Sequence, residues 1–148
     1  MFEIKTRILI NASVEAVWSC LTNTRNYSIW NQFLRKIEGE FTESKKLNIN
    51  LVAPDNEVMN FTPTCITVKK NQELRWVGIF GFSWIFRGEH YFILEEINKH
   101  QTQLIHGEKF TGILALIFKK KRGKITQEGF EMMNRNLSDY VVSKNIMS

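Results

Sequence analysis

The sequence has few of the residues and segments that mark secreted or membrane-spanning proteins. Its 148 residues include only two cysteines, Cys20 and Cys65, which lie in apolar patterns without a Cys-x-x-Cys spacing. Such cysteines indicate buried free thiols rather than a disulfide framework. The longest unbroken apolar run, residues 113–118, has six residues, whereas a bilayer-spanning helix needs ~20. Charges at residues 3 and 5 argue against a signal peptide, so we expect a cytoplasmic protein.

Several catalytic and nucleic-acid signatures are missing as well. There is no P-loop, Gly-x-Gly-x-x-Gly, Gly-x-Ser-x-Gly or His-Glu-x-x-His sequence, which removes the nucleotide-binding, serine-hydrolase and zinc-protease arrangements that these motifs identify. The formal net charge of +5 is compatible with contact to anionic surfaces. A single basic run without a groove-reading motif argues against nucleic acid as a partner. We expect no cofactor and no metal, and nothing in the sequence indicates an oligomeric state.

Alternation of apolar and polar residues predicts most of the fold. Strands are expected at residues 2–10, 33–41, 45–52, 58–61, 64–68, 73–80, 86–94 and 103–110. Pro63 breaks or bulges the chain between the strands at 58–61 and 64–68. A helix capped by Ser13 and a second at residues 25–30 follow the first strand. Apolar residues recurring every three or four positions predict one long amphipathic helix at residues 126–144. An antiparallel sheet covered by this helix makes a single α+β domain, residues 1–148.

The last predicted hairpin carries the most informative polar side chains. Alternate residues of a strand share a face, and the even-numbered faces of both strands are apolar except for His90, His106 and Glu108. Antiparallel pairing places His90 opposite either His106 or Glu108. Buried polar groups are costly without partners. The three residues therefore form either a satisfied polar cluster that ties two strands together or the polar end of a pocket.

Six short segments carry a family resemblance when they are taken in order. They are residues 12–18 (Ala-Ser-Val-Glu-Ala-Val-Trp), 27–33, 73–76, 88–92 (Gly-Glu-His-Tyr-Phe), 106–110 (His-Gly-Glu-Lys-Phe) and 129–134. With these segments the chain resembles the polyketide cyclase/dehydrase-like branch of the START/Bet v 1 (SRPBCC) superfamily. The resemblance implies a helix-grip fold, in which a curved seven-stranded antiparallel sheet wraps around the C-terminal helix and a deep apolar cavity lies between them.

The predicted function is the binding of a hydrophobic small molecule, lipid-like or polycyclic, for carriage or sensing. Pockets for such ligands combine apolar walls with a few placed polar groups, and we expect the narrowest part between Phe92, Phe110, Phe130 and Met133. The complete set of predicted ligand contacts is Trp30, Trp76, His90, Phe92, His106, Glu108, Phe110, Phe130, Met133 and Leu137.

Other functions of the same residues stay open. His90, His106 and Glu108 could perform acid–base chemistry in a cyclase or dehydratase. Two histidines and a carboxylate could bind iron or zinc, although no recognised ligand spacing supports this. An interaction protein whose eleven phenylalanines fill the cavity is a further alternative.

A second notable segment joins the apolar residues 113–118 to a basic run. Lys119, Lys120, Lys121 and Arg122 follow directly, and Lys124 comes two residues later. The resemblance implies that this run is a loop that links the last strand to the long helix and borders the cavity entrance. Cations beside an apolar edge suit an anionic membrane surface, where each contributes ~1 kcal/mol, and a solvated basic loop is the alternative.

Overall fold

The computed structural model describes residues 1–147 of the chain, with side chains to residue 145. Short helices follow the first strand, and seven further strands lead to one long helix. The elements are β1 (Phe2–Ile10), α1 (Val14–Thr22), α2 (Tyr27–Trp30), β2 (Leu34–Glu38), β3 (Asn48–Val52), β4 (Val58–Phe61), β5 (Thr64–Lys69), β6 (Glu73–Phe80), β7 (Phe86–Asn98), β8 (Gln101–Thr111) and α3 (Ala115–Met147).

The first helix forms where the sequence predicts it. The Ser13 hydroxyl accepts a hydrogen bond from the backbone N–H of Ala16 (3.2 Å) and so caps the start of α1. Such caps stabilise a helix by about 1 kcal/mol. Val14, Val17 and Leu21 then recur at helical spacing and are buried. The predicted helix at residues 25–30 is instead a 3₁₀ turn, Thr24–Asn26, followed by α2.

The strands form two hydrogen-bonded sheets rather than one seven-stranded sheet. One has the order β1-β8-β7-β6-β5 and the other β2-β3-β4, and neighbouring strands within each sheet pair antiparallel. The residues described thus contain eight strands, because the chain breaks at Pro63 between β4 and β5. Proline cannot donate to a ladder, which explains the break. An isolated bridge between Lys46 and Thr64 links the two sheets.

The long helix begins eleven residues before the predicted Thr126, at Ala115. The prediction of a basic loop is therefore wrong, because Lys119–Lys124 lies in the first turns of α3. Lysine and arginine are good helix formers, and Gly112, with φ +103°, makes the turn that separates the helix from β8. The N–H groups of Ile113 and Leu114 donate to the carbonyls of Trp84 and Ile85, 3.0 Å each. These bonds satisfy donors that a helix start leaves unpaired.

Helix α3 is buried over its second half and only partly covered over its first. Phe130, Met133, Leu137 and Val141 are buried in the core between sheet and helix. In contrast, no residue between 116 and 128 is buried. Close packing of the second half also explains Gly129, because a Cβ there would overlap the ring of Phe33. None of the helices described is long and apolar enough to cross a membrane.

Candidate functional site

Strands β7 and β8 bring the three predicted polar side chains together. His90 lies directly opposite Glu108 in the pairing of β7 with β8 and opposite Trp76 in the pairing of β6 with β7. His106 lies opposite Phe92 on one side and Thr6 of β1 on the other. The register thus settles which residue faces His90, a point that the sequence left open.

A continuous chain of hydrogen bonds runs through this cluster. Glu108 Oε1 lies 3.2 Å from His90 Nδ1, and His90 Nε2 lies 2.7 Å from His106 Nε2. His106 Nδ1 lies 2.7 Å from Asn134 Oδ1 on α3, and Asn134 Nδ2 donates to Thr6 Oγ1 at 2.8 Å. The Thr6 hydroxyl ends the chain by donating to the backbone carbonyl of His106 at 2.8 Å. We call Glu108–His90–His106–Asn134–Thr6 the relay.

The backbone carbonyl at the end fixes the direction of the relay, because a carbonyl can only accept. The Thr6 hydroxyl donates its proton to that carbonyl, so its oxygen must accept the hydrogen bond from Asn134 Nδ2. The Asn134 oxygen therefore faces His106 and accepts from its Nδ1–H. Neutral His106 then has a bare Nε2, which accepts from His90 Nε2–H. The tautomers of His90 and His106 therefore both follow from the backbone carbonyl of His106.

The same logic places a single proton between His90 and Glu108. If His90 is neutral, its Nδ1 accepts, so Glu108 must be protonated and donate. Burial lowers the pKa of His90 to about 3 and raises the pKa of Glu108 to about 8. Burial, with the neighbouring His90, also holds the pKa of His106 well below its usual value. Both histidines and the Glu108 carboxyl are therefore neutral at pH 7, in agreement with the hydrogen-bond directions.

Glu108 is the accessible end of the relay. Its side chain is 19% exposed, against 5% for His90, while His106 is fully buried. Its second oxygen, Oε2, has no hydrogen-bond partner among residues 1–147. That oxygen occupies space that Gly88 leaves open, since a Cβ at Gly88 would overlap it. Glu108 thus presents one unused acceptor.

Ring contacts on either side of Glu108 show which part of α3 lies level with this acceptor. The ring of His106 stacks on Phe130, 4.4 Å between centroids, and the ring of Phe110 lies 4.9 Å from Phe118. Glu108 lies between His106 and Phe110 on the same face of β8. It therefore faces the part of α3 between Phe118 and Phe130, where few helix residues are buried.

Aromatic rings enclose the inner part of the relay. Trp76 stacks on His90 at 4.6 Å, and Phe92 stacks on His106 at 4.3 Å, opposite Phe130. Six of the predicted contacts, Trp76, His90, Phe92, His106, Glu108 and Phe130, are therefore brought together. Phe110 lies next to them on β8.

The remaining predicted contacts lie elsewhere in the core. Trp30 packs between Tyr27 (4.8 Å) and Tyr140 (6.0 Å), away from the histidines, and its indole N–H is buried without a partner among the described residues. Met133 and Leu137 are buried further along α3.

One surface groove reaches the relay and a second lies further from it, and neither is the deep apolar cavity that the resemblance implies. A groove of about 250 Å³ is lined partly by Thr6 and Asn134, at the inner end of the relay. Another, of about 500 Å³, is lined by Trp18, Phe41 and neighbours, and Phe41 stacks on Trp76 at 5.6 Å. Within residues 1–147, no three His, Cys, Asp or Glu side chains are grouped in a way that could hold a metal.

An ion pair ties the half-buried stretch of α3 to the opposite sheet. Arg122 binds both oxygens of Asp55, at 2.6 and 3.2 Å, and lies 2.9 Å from Glu57. Asp55 and Glu57 belong to the turn between β3 and β4. The guanidinium holds the pKa of Asp55 below its usual value. Arg122, predicted as a membrane contact, thus has protein partners, whereas Lys119, Lys120 and Lys121 are exposed.

Sequence reasoning missed the roles of four residues at this site. They are Thr6, Gly88, Asn134, and Arg122 as the ion-pair partner of Asp55 and Glu57. Thr6 could have been found, since it is a polar residue on the inward face of an otherwise apolar β1. Asn134 is likewise polar on the apolar stripe of the long helix, one residue after Met133. The roles of Gly88 and Arg122 depend on the register and on the turn between β3 and β4, which the local sequence does not specify.

Comparison with known proteins places this geometry in a structural context. No protein-family model matches the chain, and no curated protein sequence matches it. Solved structures match over nearly its whole length. A START superfamily protein from Mycobacterium smegmatis has a TM-score of 0.73 at 14% identity, with 95% of this chain and 97% of that chain covered. The chain has the START-like helix-grip fold.

Proteins with this fold differ in what they bind or do. Norcoclaurine synthase from Thalictrum flavum, in complex with dopamine and hydroxybenzaldehyde, matches with a TM-score of 0.72 at 14% identity, covering 96% of this chain and 87% of that one. A protein from the dynemicin biosynthetic locus matches with a TM-score of 0.71 at 13% identity, covering 96% of this chain and 48% of that one. Likeness at this level of identity shows the fold alone, so function has to be argued from the site.

Proposed function

We propose that the protein binds a hydrophobic small molecule, lipid-like or polycyclic, whose polar group meets Glu108 at the outer end of the relay. The unpartnered Oε2 of Glu108 is the observation that carries this proposal. It belongs to a neutral carboxyl with aromatic neighbours, and it faces the stretch of α3 that buries little. Apolar walls with one oriented polar group are typical of small-molecule sites.

The direction of the relay selects the polar group of the ligand. With the shared proton on Glu108, Oε1 donates to His90 and Oε2 is a carbonyl-type acceptor. With the proton on His90, Glu108 is a carboxylate and Oε2 again accepts. The ligand must therefore present a donor, such as a hydroxyl or an N–H. An ether oxygen in the same place cannot donate, so the ether oxygen and Oε2 would both lack a hydrogen bond, at a cost of about 1–3 kcal/mol.

The structural comparison supports this ligand class. The norcoclaurine synthase structure contains dopamine and hydroxybenzaldehyde, and both molecules are aromatic rings that carry hydroxyl groups. A protein with this fold can thus bind aromatic molecules that carry hydroxyl donors. In this chain we assign recognition of the hydroxyl to Glu108.

A matched pair of probes tests the proposal. 2-Naphthol and 2-methoxynaphthalene share one ring system, but only the naphthol donates a hydrogen bond. We expect isothermal titration to show about tenfold tighter binding of 2-naphthol, the worth of one hydrogen bond of ~1–1.5 kcal/mol. The preference should disappear in Glu108→Leu and persist in Glu108→Gln, whose amide oxygen still accepts. Equal affinities in the parent protein would contradict the proposal.

An acid–base enzyme of the cyclase type is a second candidate, favoured by the pKa of Glu108 at about 8. General acids and bases work best when their pKa lies near the working pH. Oε2 could take a proton from a substrate hydroxyl while Oε1 passes its own proton to His90 Nδ1, which balances the transfer. Glu108→Gln separates the two functions: its amide preserves the donor and the acceptor but cannot pass a proton. Turnover of a polyketone substrate that is lost in this variant, with binding retained, would assign the enzyme.

A further inference from the structure

One end of the sheet exposes a group of large apolar side chains that the proposed site does not use. Each of them is more than half exposed to solvent. They are Phe80, Phe82 and Trp84 around the turn between β6 and β7, and Ile113, Leu116 and Ile117 at the start of α3. We call these six residues the docking patch.

The two halves of the docking patch form one continuous surface. The N–H groups of Ile113 and Leu114 donate to the carbonyls of Trp84 and Ile85, so the turn and the helix start are tied together. Gly112 makes this approach possible, because a Cβ there would overlap the backbone of Ile85. The rings of Phe82 and Trp84 are parallel, with centroids 6.3 Å apart. Exposed apolar groups that are held in one place mark interaction surfaces more often than scattered ones do.

The charges around the docking patch are all of one sign in the sequence segments that form it. Residues 109–127 and 74–88 contain no Asp or Glu. Lys119, Lys120, Lys121 and Lys124 are exposed on α3 directly after the apolar residues. The nearest acidic partners on the helix side, Asp55 and Glu57, are both engaged by Arg122.

The spacing along α3 matches the depth of a membrane interface. At 1.5 Å per residue, Lys120 lies about 6 Å and Lys124 about 12 Å behind Leu116 along the helix axis, and these are differences in depth when α3 stands along the membrane normal. Interfacial elements bury their apolar residues about 5–10 Å deep. When the apolar tip enters the acyl region, the lysines therefore reach the level of the headgroups. Lysines can also extend their ammonium groups outward from such a position.

We propose that the docking patch attaches the protein peripherally to an anionic membrane, with Phe82, Trp84 and Leu116 inserted at the interface. Anionic lipids attract cations near the surface, and tryptophan is enriched at membrane interfaces. This proposal rests on the exposed surface alone and is independent of the ligand at Glu108. A second protein copy could cover the apolar side chains but would bring the same lysines together.

Trp84 provides a built-in reporter for the test. It is 62% exposed, whereas Trp18, Trp30 and Trp76 are at most 8% exposed. Vesicles of equimolar phosphatidylglycerol and phosphatidylcholine should shift the tryptophan emission of the parent protein to the blue, and lipids with brominated chains should quench it. Vesicles of phosphatidylcholine alone should bind far more weakly, and added salt should reverse the binding.

Matched variants separate the docking patch from ordinary surface. Replacing Lys119, Lys120 and Lys121 by Gln should weaken binding about 100-fold, at ~1 kcal/mol per lysine. The same change at Lys45, Lys70 and Lys99 should have little effect. Phe82→Ser with Leu116→Ser should lose about tenfold or more, and Ile29→Ser with Ile97→Ser serves as its control.

Two results would overturn the proposal. One is the absence of any vesicle binding at low salt. The other is a Trp84-dependent dimer in place of vesicle binding, since a dimer would assign the surface to a second copy.

Discussion

The protonation state of Glu108 gives the most informative prediction, a loss of stability between pH 6.5 and 8 that disappears in Glu108→Gln. The native carboxyl has a pKa of about 8 because it is buried, while an exposed Glu titrates near ~4.3. Above pH 6.5 the unfolded chain has released this proton, but the folded protein still holds it. The unfolded state then binds fewer protons, so the free energy of unfolding falls as the pH rises.

The size of the effect follows from the shift. Each pH unit between the two pKa values is worth ~1.36 kcal/mol, so the parent should lose about 2 kcal/mol from pH 6.5 to 8. In a protein of this length that corresponds to about 4–8 °C in the unfolding midpoint. His90 has a native pKa of about 3 and contributes in the opposite direction, with stability lost as the pH falls from ~6.5 towards ~3. Its effect is therefore outside this window.

The assay is urea unfolding of the parent and Glu108→Gln at several pH values. Gln is isosteric, and its amide N–H₂ can donate to His90 Nδ1 while its oxygen replaces Oε2. All other side chains are the same in the two proteins, so their contributions cancel in the difference. The stability difference should move by about 2 kcal/mol in favour of the variant from pH 6.5 to 8. A difference that does not change with pH would show that Glu108 is ionised in the folded protein and would refute the neutral relay.

Three further predictions concern single residues. Gly129→Ala should destabilise the protein, because its Cβ would overlap the ring of Phe33. Gly123→Ala, whose Cβ meets only Lys119 Cγ at 3.7 Å, should stabilise the protein by about 0.5–1 kcal/mol in thermal melts. A change of stability in the same direction for both variants would contradict the packing. Asn134→Ala should lower the free energy of unfolding by about 1–3 kcal/mol for each partner that it leaves unsatisfied, and it should change the NMR shifts of the His106 imidazole nitrogens. Asn136→Ala is the control. Unchanged shifts would contradict the hydrogen bond between His106 and Asn134. Arg122→Gln should speed the uptake of 2-naphthol in stopped-flow fluorescence by releasing Asp55 and Glu57, while Arg35→Gln leaves it unaltered; equal rates would mean that the tie does not restrict access.

Local sequence patterns predicted the elements that depend on periodicity. The alternation in β1 and in the β7–β8 hairpin gave both their positions and the inward faces of His90, His106 and Glu108. The resemblance to START-like proteins gave the helix-grip arrangement. These features could be predicted because they depend on neighbouring residues or on segments that are similar across the fold.

Features set by long-range contacts could not be predicted in the same way. The basic run that follows residue 118 was expected to form a loop, but it belongs to a helix whose start is stabilised by carbonyls of a distant turn, Trp84 and Ile85. The order of the relay needed Asn134 of α3 and Thr6 of β1, which are separated by 128 positions in the sequence. The break at Pro63 was foreseen, but the division into two hydrogen-bonded sheets was not.

Native mass spectrometry of freshly purified protein, followed by solvent extraction, would show directly whether the protein carries a ligand that Glu108 recognises. We expect about one apolar molecule per chain that carries a hydroxyl or N–H donor, retained in Glu108→Gln and reduced in occupancy in Glu108→Leu. A bare protein that also fails to distinguish 2-naphthol from 2-methoxynaphthalene would contradict it. So would a bound molecule with the same occupancy in Glu108→Leu, because the relay would then have no part in recognising the ligand.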